Sequence, residues 1–505
     1  MRASSRMDGE TLLEALAKER VFLKLHGDKL KYRVPGGELS PQLAHQIKQA
    51  KPMLADCLAG ETDYCLISPL SANQQSLFFN YQVGPESTAY DLAIGVHLSG
   101  RVDEHRLRAA LVGLLTLYPC LGASYRVLTI GGRTLPCQLV GMGDVDRFEL
   151  QVEMVADLDA ALELAQNFYD APLTLESSPN FFCKLINFST SESALVLKFP
   201  HLSADGWTMG MIVSALNKLY TDSTPTEMVF PLYTDYVIDQ RNQEAARRAS
   251  AQAYWQSQLR HIPAYTSLSE SESPPLEQVT QRIPQGETQF FEISSQGRER
   301  VEVFAQQHHT TASVVLLAVM QRQLLAVNSE GVIVGVPTLG ARAPGYFSSA
   351  GYFVNPVPVF AGPGRLSQTF GEHLQETATD LAGALEYRDY PFAWLVKGLG
   401  LAPDLSTTPV FQVLFNFLQR EVLGNLVDWL YPWTETPSRP FLGLPTNPFP
   451  VFQQEGQFDL TLEFIDNGES YLGLLKYDPA RLSEDAAGDW IDAYLAALDL
   501  ALSES

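Results

Sequence analysis

The stretch at residues 195–210, LVLKFPHLSADGWTMG, decides how the chain reads. LVLKF is an apolar run of strand length, and Pro200 closes it, because proline has no N–H to give to a sheet ladder. His201 follows at once, then Asp205 and Gly206, and the run WTMGMIVSALNKLY has helical character. His201 is therefore predicted in a turn between a strand and a helix, a place from which a side chain can face a cleft. Histidine suits proton transfer near neutral pH, with a reference pKa of ~6.5. Asp205 can accept a hydrogen bond or an ion pair and brace the loop. Gly206 permits backbone turns closed to other residues. Taken alone, H-x-x-x-D-G also fits a histidine that only serves its turn.

Outward from this centre, strand-length apolar runs alternate with helical stretches. RLRAALVGLLTLYP, TASVVLLAVMQRQLLAV and YLAALDLAL read as helices, and GVIVGVPT reads as a strand. Mixed α/β layers follow. TSLSESESPPLEQ (266–278) is Ser/Glu/Pro-rich and reads as a surface excursion. TETPSRPFLGLPTNPFP (434–450) carries five prolines and reads as a long loop.

The 505 residues are 46% apolar and 18% charged, enough apolar material for large cores across two to four domains. A net charge of −23 argues against a nucleic-acid binder or a protein that docks on anionic lipid. No apolar run approaches a membrane span, and MRASSRMDGE has no apolar stretch behind its basic residues, so neither an anchor nor a secretory signal is expected. Cys57, Cys65, Cys120, Cys137 and Cys183 show no CxxC spacing. Reduced thiols in a cytoplasm are expected rather than a disulfide framework or a zinc site. There is no P-loop, no GxGxxG, no G-x-S-x-G elbow and no metal-spaced His/Cys cluster.

Charge is uneven. Residues 1–60 hold ten Lys/Arg against seven Asp/Glu, a charge of +3, and the other 445 residues carry −26. That asymmetry predicts a separate module at 1–60 with its own partner. Asp8 caps a helix with Leu12, Leu13 and Leu16 on one face. FLKLHGDKLKYRV is a hairpin, Pro35-Gly36-Gly37 ends it, and Ser40-Pro41 opens a second helix with Leu43, Ile47 and Leu54 on one side. The hairpin leaves a strand edge beside Lys24, Lys29, Lys31 and Arg33. Those charges are either a solvated face that blocks edge aggregation or a docking edge for an acidic peptide added as an extra strand.

LLEALAKERV, LKLHGDKLKYRVP and LSPQLAHQIKQAK resemble the β-hairpin docking domains of nonribosomal peptide synthetase subunits, the type named after tubulysin assembly. Downstream, PLSANQQSLFF (69–79), PHLSADGW (200–207), YTDYVIDQ (233–240), AYWQSQL (253–259), VGVPTLGAR (334–342), GYFVNPVPV (351–359), YRDYPFAWLV (387–396) and STTPVFQVLFNF (406–417) resemble, in order, the signature segments of the synthetases' condensation domains. The resemblance implies an α/β (α+β) chloramphenicol-acetyltransferase-like fold, a two-lobed V-shaped pseudo-dimer preceded by a small αββα docking domain. The expected division is 1–60 docking domain, 64–240 N-lobe and 241–505 C-lobe. Carried over, His201 is the active-site histidine, Asp205 the structural aspartate, and Gly206 the glycine near the reacting carbonyl. Ser203, Trp207 and Asn355 are the candidate substrate contacts.

Two departures stand out. Pro200 occupies the place of the family's first histidine. LYPCLGASY (117–125) has Tyr118 and Gly122 where the family usually has basic residues. Asp205 then needs another partner, Arg342 first and Arg126 second. The resemblance implies a condensing acyltransferase. An amine or hydroxyl attacks a phosphopantetheine thioester delivered on an upstream carrier protein with an acidic C-terminal tail. His201 Nε2 takes the proton or orients the nucleophile, and N–H groups near Gly206 favour the oxyanion. No resident cofactor or metal is implied. With no carrier serine motif or adenylation loop in these residues, the acceptor is expected on a second carrier or as a free small molecule, the latter making a chain-releasing enzyme. The alternatives are a catalytically degenerate recruitment module, a plant-type acyl-CoA acyltransferase, whose DFGWG is missing, and epimerisation. Heterocyclisation is disfavoured because that branch carries two aspartates in the motif.

Overall fold

The apolar run before His201 folds as predicted, as a strand with eight of its nine residues buried. The computed structural model describes residues 8–503 except 36, 131, 143–147, 223–226, 229, 244, 264, 270–285, 341, 343, 402–407, 431–438 and 454–456. The chain divides into two units. One holds residues 1–243, 342–352 and 428–452, and the other holds 244–341, 353–427 and 453–505.

The first unit contains β1 (Phe22–His26), β2 (Lys29–Arg33), β3 (Cys65–Pro69), β4 (Asp91–Ser99), β5 (Ser124–Ile130), β6 (Arg133–Gly141), β7 (Leu150–Met154), β8 (Phe182–Asn187) and β9 (Glu192–Pro200). One five-stranded sheet runs β2-β1-β3-β6-β5, and the other runs from the short strand Thr446–Pro448 through β4-β9-β8-β7. β9 lies in the middle of its sheet, paired antiparallel with β4 and β8. A strand covered on both faces needs a near-continuous apolar sequence rather than an alternating one, which is what Ala194–Leu197 and Phe199 supply.

The N-terminal segment expected as a module at 1–60 groups with the first unit and joins its sheet. β1 pairs with β3, Phe22 opposite Leu66 and Leu23 opposite Cys65. Leu12, Leu16, Leu43 and Leu54 share one core with Ile130 and Leu139. The hairpin thus adds two strands to a larger sheet and buries its apolar face there. Arg20 pairs with Asp235 at 2.9 Å, and Arg241 reaches Glu10 and Glu14 at 2.8 and 2.6 Å. The main run of the first unit ends at residue 243, and 342–352 and 428–452 also belong to it.

Two local expectations change as well. The second N-terminal helix is two helices, Pro41–Gln49 and Lys51–Cys57, because Pro52 fits only a first turn. The proline-rich stretch at 434–450 is not all loop. Thr446–Pro448 pairs antiparallel with β4, at a sheet edge where proline is tolerated. Residues 434–438, Gly36 and 270–278 of the Ser/Glu/Pro-rich stretch lie outside the described residues. All five cysteines are buried free thiols.

The second unit is one six-stranded sheet, in the order Glu287–Ile293, Tyr471–Tyr477, Leu460–Asp466, Val413–Gln419, Val332–Thr338, Asn355–Ala361. Helices Ala312–Leu325, Phe370–Glu386 and Glu484–Ala501 supply much of its core. His373 sits within that core, fully buried, with Nε2 donating to the Ala318 carbonyl at 3.0 Å. Burial pushes its pKa down to about 4. The unfolded chain takes up this proton near pH ~6.5, so the contribution to stability is complete above that pH and is lost as pH falls towards 4. At ~1.4 kcal/mol per pH unit the loss amounts to about 3 kcal/mol. Replacing His373 by Leu should flatten the fall of the urea midpoint between pH 6.5 and 4. Equal slopes in the two proteins would show that this histidine is not the cause.

Candidate active site

Pro200, the last residue of β9, stands opposite Asp91 in the β4–β9 ladder. A single 3₁₀ turn, His201–Ser203, then leads to the helix Gly206–Asp222. Asp205 caps that helix, its Oδ1 accepting the Thr208 N–H at 2.9 Å. The same carboxylate faces Arg342, whose Nη2 lies 3.2 and 3.3 Å from its two oxygens. The Asp205 side chain is 3% exposed and that of Arg342 0%. Arg342 is tied further, Nη2 to Thr208 Oγ1 at 3.2 Å and Nη1 to the Ser349 carbonyl at 2.7 Å. Thr208 Oγ1 in turn donates to the Gly351 carbonyl at 3.0 Å and accepts the Gly351 N–H at 3.1 Å. The preferred partner for Asp205 is thus in place. Arg126 is elsewhere, bonded to Glu61 at 2.6 Å and to the Cys57 and Ala59 carbonyls. Tyr118, at the other departure, lines a small cavity with Cys120, Tyr233 and Ser349.

The segment 342–352 also supplies Tyr352, whose ring meets that of His201 edge-on, 5.0 Å between centroids. His201 Nδ1 lies 2.6 Å from the Ala204 carbonyl. A carbonyl only accepts, so Nδ1 carries the hydrogen, and the lone pair of the neutral ring is on Nε2. Nε2 makes no hydrogen bond among the described residues. Burial lowers the pKa of the ring below its ordinary value, against the opposing pull of the Ala204 carbonyl and the Asp205 charge. His201 is neutral at pH 7, with one nitrogen able to accept a proton.

Gly206 is not there for a left-handed turn, since its φ is not in the positive region, which corrects the reason expected for it. A Cβ placed on it would meet nothing within 4 Å, so space lies open beside it. Trp207 is partly exposed, with Nε1 donating to the Phe347 carbonyl at 3.1 Å and the Arg342 guanidinium 5.7 Å from its ring centre. The two other candidate substrate contacts have partners within the protein. Ser203 is buried, with its hydroxyl 2.9 Å from that of Tyr125, and holds the turn from behind. Asn355, in the second unit, gives its amide hydrogens to the Arg388 and Tyr390 carbonyls and accepts the Phe392 N–H. It braces the start of the helix Phe392–Gly398. Sequence reasoning passed over Thr208, Tyr352, Tyr81 and Asp91, which no local pattern marks. Lys198 did leave a signal, as a lone charge inside an apolar strand.

The family model for the condensation domain matches residues 66–505. The chain belongs to the condensation-domain family. Condensation domains are acyltransferases that form C–N bonds in nonribosomal peptide synthesis. Over 424 residues this condensation domain is 25% identical to surfactin synthase subunit 2 of Bacillus subtilis (strain 168), which covers 84% of this chain and 11% of that protein. A holo four-domain nonribosomal peptide synthetase solved with AMP and glycine superposes with a TM-score of 0.77 at 18% identity, over 88% of this chain and 34% of that one. The X-domain from teicoplanin biosynthesis gives 0.72 at 18% identity, over 86% of this chain and 95% of that one. The chain therefore spans about a tenth of surfactin synthase subunit 2 and a third of the four-domain synthetase. The chloramphenicol-acetyltransferase-like fold implied by the sequence is the fold of these structures. Among the described residues no group of His, Cys, Asp or Glu could hold a metal ion, and no helix is long and apolar enough to cross a membrane.

Removing one member of a buried pair leaves the other charge without compensation, at a cost of about 3–5 kcal/mol. Arg342→Met should lower unfolding free energy by that amount, read from urea denaturation of the first unit. A loss below about 1 kcal/mol would mean that the pair contributes little.

Proposed function

We propose that this condensation domain moves an acyl group from the phosphopantetheine thioester of a carrier protein to the amine or hydroxyl of an acceptor. The observation that carries the reading is the geometry of His201, with Nδ1 held 2.6 Å from the Ala204 carbonyl so that Nε2 is left to accept. The nucleophile attacks the thioester carbonyl carbon and passes its proton to Nε2. The C–S bond breaks as the tetrahedral intermediate collapses, and the departing thiolate is protonated. A neutral amine needs less base help, and there His201 orients the nucleophile. The open space beside Gly206, at the N-terminus of the helix that Asp205 caps, is where the thioester oxygen is read to lie.

The hairpin is read as the docking element for an acidic carrier tail. β2 is an outer strand of its sheet, so one edge is unpaired by other strands. Lys24 stands directly opposite Lys31, and His26 opposite Lys29, with Arg33 on the same face. Like charges in register are unfavourable in a sheet. An acidic strand laid along this edge relieves them, its main chain giving affinity and its carboxylates selectivity. A second reading, a recruitment module without catalysis, draws on Pro200 and on the likeness to the X-domain, which was also solved in complex with OxyB.

His201→Ala should retain the fold and lose ~10²–10⁴ in rate, measured by intact mass spectrometry of an acylated carrier incubated with small amines, alcohols or a second, acceptor-loaded carrier. Products on free acceptors support chain release, and products only on the second carrier reject it. Undiminished turnover by His201→Ala would favour the recruitment reading.

Gly206→Ala separates chemistry from folding. Its new methyl meets no protein atom, so thermal stability should hold or rise by up to ~1 kcal/mol, while turnover falls because the methyl fills the space read for the thioester. Full activity in that variant would put the reacting carbonyl elsewhere. Lys29→Glu with Lys31→Glu should slow the reaction with the tailed carrier at low salt and leave that with a small pantetheine thioester unchanged. Equal effects on both substrates would sink the docking role.

A further inference from the structure

A charged pair lies buried three residues before His201. Lys198 is 1% exposed at its side chain and Asp91 0%, with Nζ 3.1 Å from Asp91 Oδ2. The other donors of Lys198 are also used. Nζ gives to the Tyr169 carbonyl at 2.6 Å and to that of Ala171, at the C-terminal end of the helix Leu158–Asp170, where a cation is favoured. The second carboxylate oxygen of Asp91 lies 3.1 Å from the hydroxyl of Tyr81, itself buried. That hydroxyl also donates to the Tyr90 carbonyl and lies 3.3 Å from the His201 N–H, which it shares with the Tyr90 carbonyl at 2.9 Å.

The place matters because the last bond of the β4–β9 register is the one that the His201 N–H gives to the Tyr90 carbonyl, directly after the Asp91–Pro200 pair. A buried ion pair is a poor source of net stability, since apolar residues of similar volume do as well. Its contacts end on the backbone that carries the candidate catalytic ring. We propose that Lys198, Asp91 and Tyr81 are positioning residues, a chain of contacts that fixes the backbone of His201 and so the direction of its Nε2. The proposal rests on the role given to His201 above.

Tyr81→Phe removes one oxygen from this chain and keeps the ring. It should lower kcat roughly tenfold, since small misplacements of a reacting group carry large rate costs, with KM for the acyl carrier unchanged. Asp91→Asn should lower kcat by a similar factor. The double variant should be no slower than either single one, because both interrupt the same chain. If Asp91→Asn does not fold, Asp91→Asn/Lys198→Met removes both charges and takes its place in the cycle. Wild-type kcat in Tyr81→Phe, or losses that multiply in the double variant, would overturn the proposal. His201→Ala run alongside separates the two readings. If it is inactive while Tyr81→Phe is not impaired, only the positioning role fails. If it is fully active, the role of His201 fails first.

Discussion

The turn that carries His201 depends on one carboxylate meeting two demands at once. Asp205 caps a helix through the Thr208 N–H and neutralises a guanidinium that has no access to water. Either task alone is common. Together they fix the relation between the helix Gly206–Asp222 and the segment 342–352, because Arg342 also holds Ser349 and Thr208 also holds Gly351. Desolvation makes the arrangement strict. Two surface charges 3 Å apart would contribute less than about 1 kcal/mol and tolerate drift. Buried, neither group has water to fall back on, so the pair has to stay matched. Tyr352, at the end of this segment, is thereby brought against His201.

Burial has a second consequence at the same turn. A ring that cannot easily carry a positive charge stays neutral, and the Ala204 carbonyl then decides which nitrogen keeps the hydrogen. Protonation at Nε2 is thereby disfavoured relative to a ring in water.

Much of this was legible along the chain because the decisive residues are close in sequence or follow a period. The strand–turn–helix at 195–210 could be read from Pro200, from the apolar run before it and from helical character after it. Arg342 could be named as the partner of Asp205 only because a signature segment held a spare arginine. Its 137-residue separation is invisible to any local rule. The partners of Asn355 and Ser203 were out of reach of the sequence for a related reason. A polar residue beside a motif looks available until its partners are seen, and here Phe392, Arg388 and Tyr125 use those groups. In the N-terminal segment charge speaks for one face only. Its +3 balance reports the exposed face of the hairpin, whereas its apolar face, from Leu12 to Leu54, is spent on a core shared with β5 and β6.

That sharing bears on how the hairpin would work. A docking module on a loose tether could meet its partner in many orientations, at the expense of ordering itself on binding. Here β1 is held by β3, and Arg20, Glu10 and Glu14 tie the neighbouring helix and its end to Asp235 and Arg241. Arg33 and Lys24 lie over the ring of Tyr64, at 4.1 and 5.6 Å from its centre, just before β3 begins. The cations are thus arrayed in advance, with their mutual repulsion already met by folding. An acidic strand added to β2 would extend the same sheet that contains β3 and β6, so its direction relative to the first unit follows from sheet geometry rather than from a linker.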